Sequence, residues 1–142
     1  DGEFGGLGFP SPLPPDAAAI VTKGPLEPQA STTLALVATD CILNRDEAQR
    51  LAVAAHDGIA LAVYPAHTPF DGDTVFALAT GAVTVEPDEK TPVAMSPETA
   101  LVTRVGAAAA EVLARAVLVG LLAAEPVAGI PTYRDMLPGA FE

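Results

Sequence analysis

Apolar and polar positions alternate in character along the chain, and three kinds of pattern stand out. From Thr33 to Thr39 the residues are β-branched or aliphatic almost without interruption, long enough for a buried strand. Thr74 to Thr80 repeats that pattern, and a weaker extended run follows from Ala82 to Val85. Between the two strong runs, Asn44 to Tyr64 has helical spacing. Asn44 is placed as N-cap, Asp46 and Glu47 fall in the positive first turn, Glu47 completes a capping box, and Pro65 stops the helix. Its apolar residues Leu51, Val53, Ala54, Ala55, Ile59, Leu61 and Ala62 leave few polar positions, which predicts burial on more than one side. Gly58 inside it predicts a close neighbour.

A second helix is predicted from Pro97 to about Ala124, opened by Ser96-Pro97-Glu98 after the polar turn from Glu86 to Lys90. Its part from Val105 to Ala124 approaches the length of a membrane span. Glu111 and Arg115 sit near its middle, four apart, and each central charge costs roughly 2.5–3.5 kcal/mol in a bilayer. The pattern therefore predicts a buried helix of a soluble fold, with no membrane partner. The small residues Gly106 to Ala110 permit close approach of another element. Ile130 to Asp135 is expected to fold over the surface.

The expected architecture is α/β, with two to three strands and two long helices. A strand, crossover helix, strand unit brings the opening residues of both strands together: Thr32 on one side, Asp71 and Asp73 on the other. Both helices are more apolar than so small a sheet can cover, so part of the core is expected from sequence beyond this chain.

Composition adjusts this picture at a few points. Residues 1 to 30 hold six of the 14 prolines and five of the 12 glycines, so residues 1–31 are expected to be a linker before a folded part at 32–142. The opening Asp1-Gly2-Glu3 is not a basic-then-apolar leader and reads as the middle of a longer chain; a cytoplasmic location is expected. A net charge of −11 argues against nucleic acid, whose phosphates need Lys and Arg. The single Cys41 excludes an intrachain disulfide and a Cys-rich metal site, and is expected to be a small buried residue.

A Thr or Ser hydroxyl is a weak nucleophile at neutral pH and needs a base. The two histidines, His56 and His67, form no evident Ser-His-Asp set, and no Gly-x-Ser-x-Gly elbow occurs. The nucleophile's own α-amine is another base, with a pKa near 7.7–8.0, once the preceding bond is cut. That solution makes Thr32, or else Ser31, a new N-terminus, with Asp71 and Asp73 to orient the amine. Spacing alone leaves plainer readings open: Ser-Thr-Thr as strand-start chemistry, Asp-Gly-Asp as a turn or part of a calcium loop, and His67 and His56 as structural hydrogen bonders.

The sequence resembles the DmpA-type aminopeptidases, self-cleaving N-terminal nucleophile hydrolases that include L-aminopeptidase/D-esterases, β-peptidyl aminopeptidases and nylon-oligomer hydrolases. Ser31-Thr32-Thr33-Leu34 followed by Val37-Ala38-Thr39-Asp40 is similar to the start of the small subunit in the Thr-nucleophile branch. The stretch Pro65 to Ala77 is similar to Pro-x-His-Thr-x-x-Asp-Gly-Asp-Thr-x-Phe-Ala at every specified position. Ala54 to Gly58 and Asp1 to Gly6 also look like family segments. Ser31 stands where the family usually has Asn, and an N-to-O acyl shift does not consume that side chain.

The resemblance implies the C-terminal portion of a four-layer αββα sandwich. It implies Thr32 as nucleophile, Ser31–Thr32 as the self-cleaved bond, and Asp71 and Asp73 as the acidic partners of the nucleophile. It further implies action on small amide or peptide substrates, no metal or organic cofactor, a larger N-terminal fragment of the same precursor as partner, and a homo-oligomer. The competing expectation is a catalytically silent relative or truncated product that serves as a structural or binding module.

Overall fold

The computed structural model describes residues 32–86, 91–92 and 94–138. Ser31, the expected linker at 1–31 and most of the expected turn at 86–90 lie outside the described residues. The described residues divide into two compact units, one ending at Ala114 and the other beginning at Arg115, and the division falls within the second long helix.

The first unit is built on one β–α–β turn. Strand β1 (Leu34–Cys41) pairs in parallel with β2 (Thr74–Val83), in register from Leu34 opposite Thr74 to Thr39 opposite Ala79. A parallel pair needs a crossover connection, and α1 (Arg45–Ala62) supplies it. The predicted capping box is present: the Asn44 side chain accepts from the N–H groups of Asp46 and Glu47, and the Glu47 carboxylate accepts the Asn44 N–H at 2.7 Å. Two first-turn donors and the cap's own N–H are thereby satisfied where the chain leaves β1.

Burial on α1 follows helical spacing on one face. Leu51, Ala55, Gly58 and Ile59 are buried, and Ala55 and Ile59 are entirely inaccessible. Val37 of β1 and Val75 of β2 are buried in the same unit. The expectation of burial on several sides does not hold for the described residues, because Val53 and Leu61 are exposed. The sheet is one-sided in the same way. Val37 and Val75 point into the core, while Leu34, Leu36, Phe76 and Leu78, at alternate positions, are exposed.

The weak run at Ala82–Val85 is no separate strand. It continues β2, whose register with β1 shifts so that Cys41 pairs with Val83. Gly81 absorbs the shift at φ 70°, a left-handed conformation that a side chain disfavours. Cys41 is half-buried rather than buried.

Helix α2 (Thr99–Ala123) starts two residues later than predicted. Ser96 to Glu98 forms the preceding turn, with the Thr99 N–H bonded to the Ser96 carbonyl at 3.0 Å and the Ser96 hydroxyl bonded to the Glu98 carboxylate. In the first unit, α2 meets α1 closely at Gly58: a Cβ there would lie 2.3 Å from the Ala110 carbonyl oxygen. Gly106 fits against the Ala54 methyl on the same terms. Most of α2 is not buried, however. It is long and apolar enough to cross a membrane by length and composition, and 11% of its most apolar window is buried. Its buried residues are Gly106, Ala110 and Leu113, and Glu111 and Arg115 are exposed.

In the second unit, Val127 and Ile130 bridge a tight turn, and the single-turn helix α3 (Tyr133–Met136) follows. Thr132 and Asp135 form its capping box, and Arg134 Nε donates to the Leu122 carbonyl at 3.3 Å. The expected surface tail is therefore an ordered turn and cap.

Candidate active site at the strand openings

The residues before β1 and before β2 meet at one end of the sheet, as parallel pairing requires. The Thr74 N–H donates to the Thr33 carbonyl at 2.9 Å, and this bond extends the ladder one step before the strands formally begin. Thr32 is exposed at that edge. Its hydroxyl lies against Gly72, so closely that a Cβ on Gly72 would fall 2.7 Å from Thr32 Oγ1. Glycine is the residue that lets this hydroxyl sit beside the backbone between Asp71 and Asp73. The three residues singled out by sequence, Thr32, Asp71 and Asp73, thus belong to one end of the sheet.

The two carboxylates there have different surroundings. Asp73 is half-buried, with its side chain 8% exposed. One oxygen accepts the Thr33 N–H at 2.9 Å. The other accepts the His67 N–H at 3.3 Å and lies 2.8 Å from His67 Nδ1. Burial pushes the Asp73 carboxyl up, and the Asp71 charge adds to that push. The N–H groups of Thr33 and His67 and the Thr33 hydroxyl outweigh both and hold it below the ordinary value of 3.8. The Asp71 carboxylate accepts the Thr68 N–H at 2.7 Å, and its own N–H returns a bond to the Thr68 carbonyl at 2.9 Å. That reciprocal pair closes the turn at residues 68–71 and fixes how the Asp-Gly-Asp segment enters β2. Thr74 Oγ1 donates to the Gly72 carbonyl at 3.0 Å and holds the same segment from its far side.

His67 is the residue whose place the sequence understated. Its backbone has φ 55°, uncommon for a side-chain-bearing residue, although histidine is among those that tolerate it. Its Nε2 lies 3.2 Å from the His56 carbonyl oxygen, and the two histidine rings meet edge to face at 4.9 Å. The signal in the sequence was weak: His67 stands six residues before Asp73, a spacing that only a loop returning on itself makes useful.

Among the described residues, no group of three or more His, Cys, Asp or Glu is placed to hold a metal ion. A cavity of about 480 Å³ opens elsewhere, between the first turns of α1 and α2, lined by Asp46, Glu47, Arg50 and Glu98 among others. It includes none of the strand-opening residues, and the site lies at the sheet edge.

The chain matches peptidase family S58 over residues 10–134. It belongs to that family. Uncharacterized aminopeptidases of Mycobacterium tuberculosis and Mycobacterium bovis are 65% identical to it over 111 residues, 78% of this chain and 32% of each relative. One from Mycobacterium leprae is 61% identical over 119 residues, 84% of this chain and 33% of that protein. This S58 chain therefore spans about a third of the length of the relatives it matches.

Proposed function

We propose that the chain is the nucleophile-bearing part of a self-processing amide hydrolase of aminopeptidase type, with Thr32 as nucleophile. The observation that carries this reading is the Thr32 hydroxyl set against Gly72, between Asp71 and Asp73, where two parallel strands open. In the precursor, the Thr32 oxygen attacks the Ser31 carbonyl carbon. The Ser31–Thr32 amide becomes an ester, and water hydrolyses the ester to leave a Ser31 carboxylate and a free Thr32 amine. That amine then takes the hydroxyl proton during attack on a substrate amide and passes it to the leaving amine; water releases the acyl group. Asp71 and Asp73 set the position and field of the amine and hydroxyl. On this reading residues 1–31 are the linker before the cleaved bond and 32–142 the small-subunit part.

The rest of the enzyme belongs to the same reading. The bare sheet face of Leu34, Leu36, Phe76 and Leu78, with the poorly covered α2, supports further layers around this unit, as in an αββα sandwich. The greater length of the relatives supports a larger N-terminal fragment as the partner that supplies them. Substrate pockets and oxyanion donors, worth roughly 2.7–4 kcal/mol each in the transition state, would come largely from that fragment.

Intact-mass spectrometry of the full-length gene product tests the reading. A small fragment that begins at Thr32 is expected. One that begins at Ser31 moves the nucleophile by one residue, and a single uncut, folded chain rejects self-processing in favour of a structural or binding module.

A further inference from the structure

We propose that His67 is a positioning residue of the Thr32 site: it clamps Asp73 against the start of β1 and ties that carboxylate to the backbone of α1. The inference deepens the reading of Thr32 as nucleophile and rests on it.

The argument begins with how the donors are shared. His67 turns both its backbone N–H and its ring Nδ1 onto one oxygen of Asp73, at 3.3 and 2.8 Å. The other oxygen is left for the Thr33 N–H at 2.9 Å, one residue from the nucleophile. Putting N–H and ring on the same oxygen coincides with the left-handed backbone at φ 55°. A residue in that conformation persists where its surroundings over-determine it, and here every polar group of His67 named so far has a partner. The remaining ring nitrogen, Nε2, lies 3.2 Å from the His56 carbonyl, and the His56 ring packs edge-on against it.

A continuous path results, from the α1 backbone at His56 through the His67 ring and the Asp73 carboxylate to the Thr33 amide. Its parts come from the helix, the connecting loop and both strand openings. A carboxylate held by one segment alone is free to swing; this one is fixed from two sides. The carbonyl of His56 and an ionised Asp73 both only accept hydrogen bonds, so a neutral ring completes one of the two contacts and a doubly protonated ring completes both. With its proton on Nδ1, in the neutral or the doubly protonated ring, the Asp73 contact sets the direction in which that carboxylate presents its field to the Thr32–Thr33 edge.

The test uses the full-length protein and follows the fragment beginning at Thr32 by intact mass over time, then kcat and KM of the mature enzyme on an aminoacyl p-nitroanilide. His67→Ala is expected to slow self-cleavage and lower kcat roughly 10- to 100-fold, the scale for a misplaced reacting group, with KM little changed. His67→Asn places an amide N–H where Nδ1 sits and is expected to restore most of the rate. His67→Gln reaches instead toward the Nε2 position and is expected to fall short of His67→Asn by about tenfold. Wild-type rates in His67→Ala, or equal rates in His67→Asn and His67→Gln, overturn the clamp while leaving Thr32 as nucleophile. If His67→Ala fails to fold, the Asn–Gln comparison decides. A wild-type protein that stays uncut sinks the Thr32 reading, and the clamp with it.

Discussion

The strand-opening end of the sheet and helix α2 use the same chain in opposite ways. At the strand openings, polar groups from four short segments find partners among nearby residues: Asp73 takes donors from Thr33 and His67, Asp71 takes one from Thr68, and His67 Nε2 meets the His56 carbonyl of α1. Helix α2 carries 25 residues of strongly apolar character, yet Gly106, Ala110 and Leu113 are its buried positions. The hydrogen bonds at the strand openings are made among the described residues, whereas much of the apolar surface of α2 is left uncovered among them. Hydrogen bonds act over about 3 Å and are met by short loops; burial scales with area and needs whole layers.

The contrast can be broken most sharply at Thr32. If the strand-opening geometry serves catalysis, Thr32→Ala in the full-length protein is expected to abolish the small fragment, a loss of at least about 10³-fold in cleavage rate by analogy with removal of other activated nucleophiles. Unchanged cleavage on intact mass would reduce that end of the sheet to ordinary structure.

Next in size is the core that fastens the site. Ile59 is fully buried, so Ile59→Ala is expected to destabilise the folded protein by about 2–5 kcal/mol in denaturant unfolding. Trimming Val112 of α2, 62% exposed in this chain, sharpens the comparison. An isolated exposed position shifts stability by about 0.5 kcal/mol or less, and a larger loss for Val112→Ala in the full-length protein would show that another layer covers α2.

Gly72 probes the site without touching the core. The Cβ of Gly72→Val would fall 2.7 Å from Thr32 Oγ1 and must displace that hydroxyl. Cleavage is expected to slow roughly 10- to 100-fold. Because Gly72 is exposed, the unfolding midpoint should move little.

The smallest effect is the acid limb of stability. Asp73 is held below its ordinary value in the folded chain, so its ionised form is favoured by folding. The resulting stabilisation is present above the unfolded-state value, near 3.9, and is lost as pH falls through the lower folded value. Thermal unfolding followed from about pH 6 to about pH 2 should show that loss, and Asp73→Asn should flatten it. An unchanged acid limb in Asp73→Asn would mean that the Thr33 and His67 bonds do not favour the charged carboxylate.

Local order explains how much of this was legible in advance. The two strands, the Asn44 capping box and the Pro65 stop all follow from short-range stereochemistry, which neighbouring residues carry in full; Gly58 signalled a close neighbour, and only the fold identified it as Ala110 of α2. Thr32, Asp71 and Asp73 were placed at one edge because a β–α–β unit sets both strand openings side by side. Other features depended on residues far apart in sequence. Alanine and leucine spacing does not reveal that Val53, Leu61 and most of α2 stand uncovered in this chain, because exposure is decided by which surfaces arrive, not by the helix that offers them. The β2 register shift at Gly81 needed the partner strand. The role of His67 needed the loop folded back, since only there do its N–H and ring converge on Asp73 while Nε2 meets the backbone of a helix eleven residues earlier. Sequence by itself determined the elements and the chemistry at their ends; the tertiary structure decided which groups share a hydrogen bond and which apolar faces are left bare, because both depend on distances that no local pattern contains.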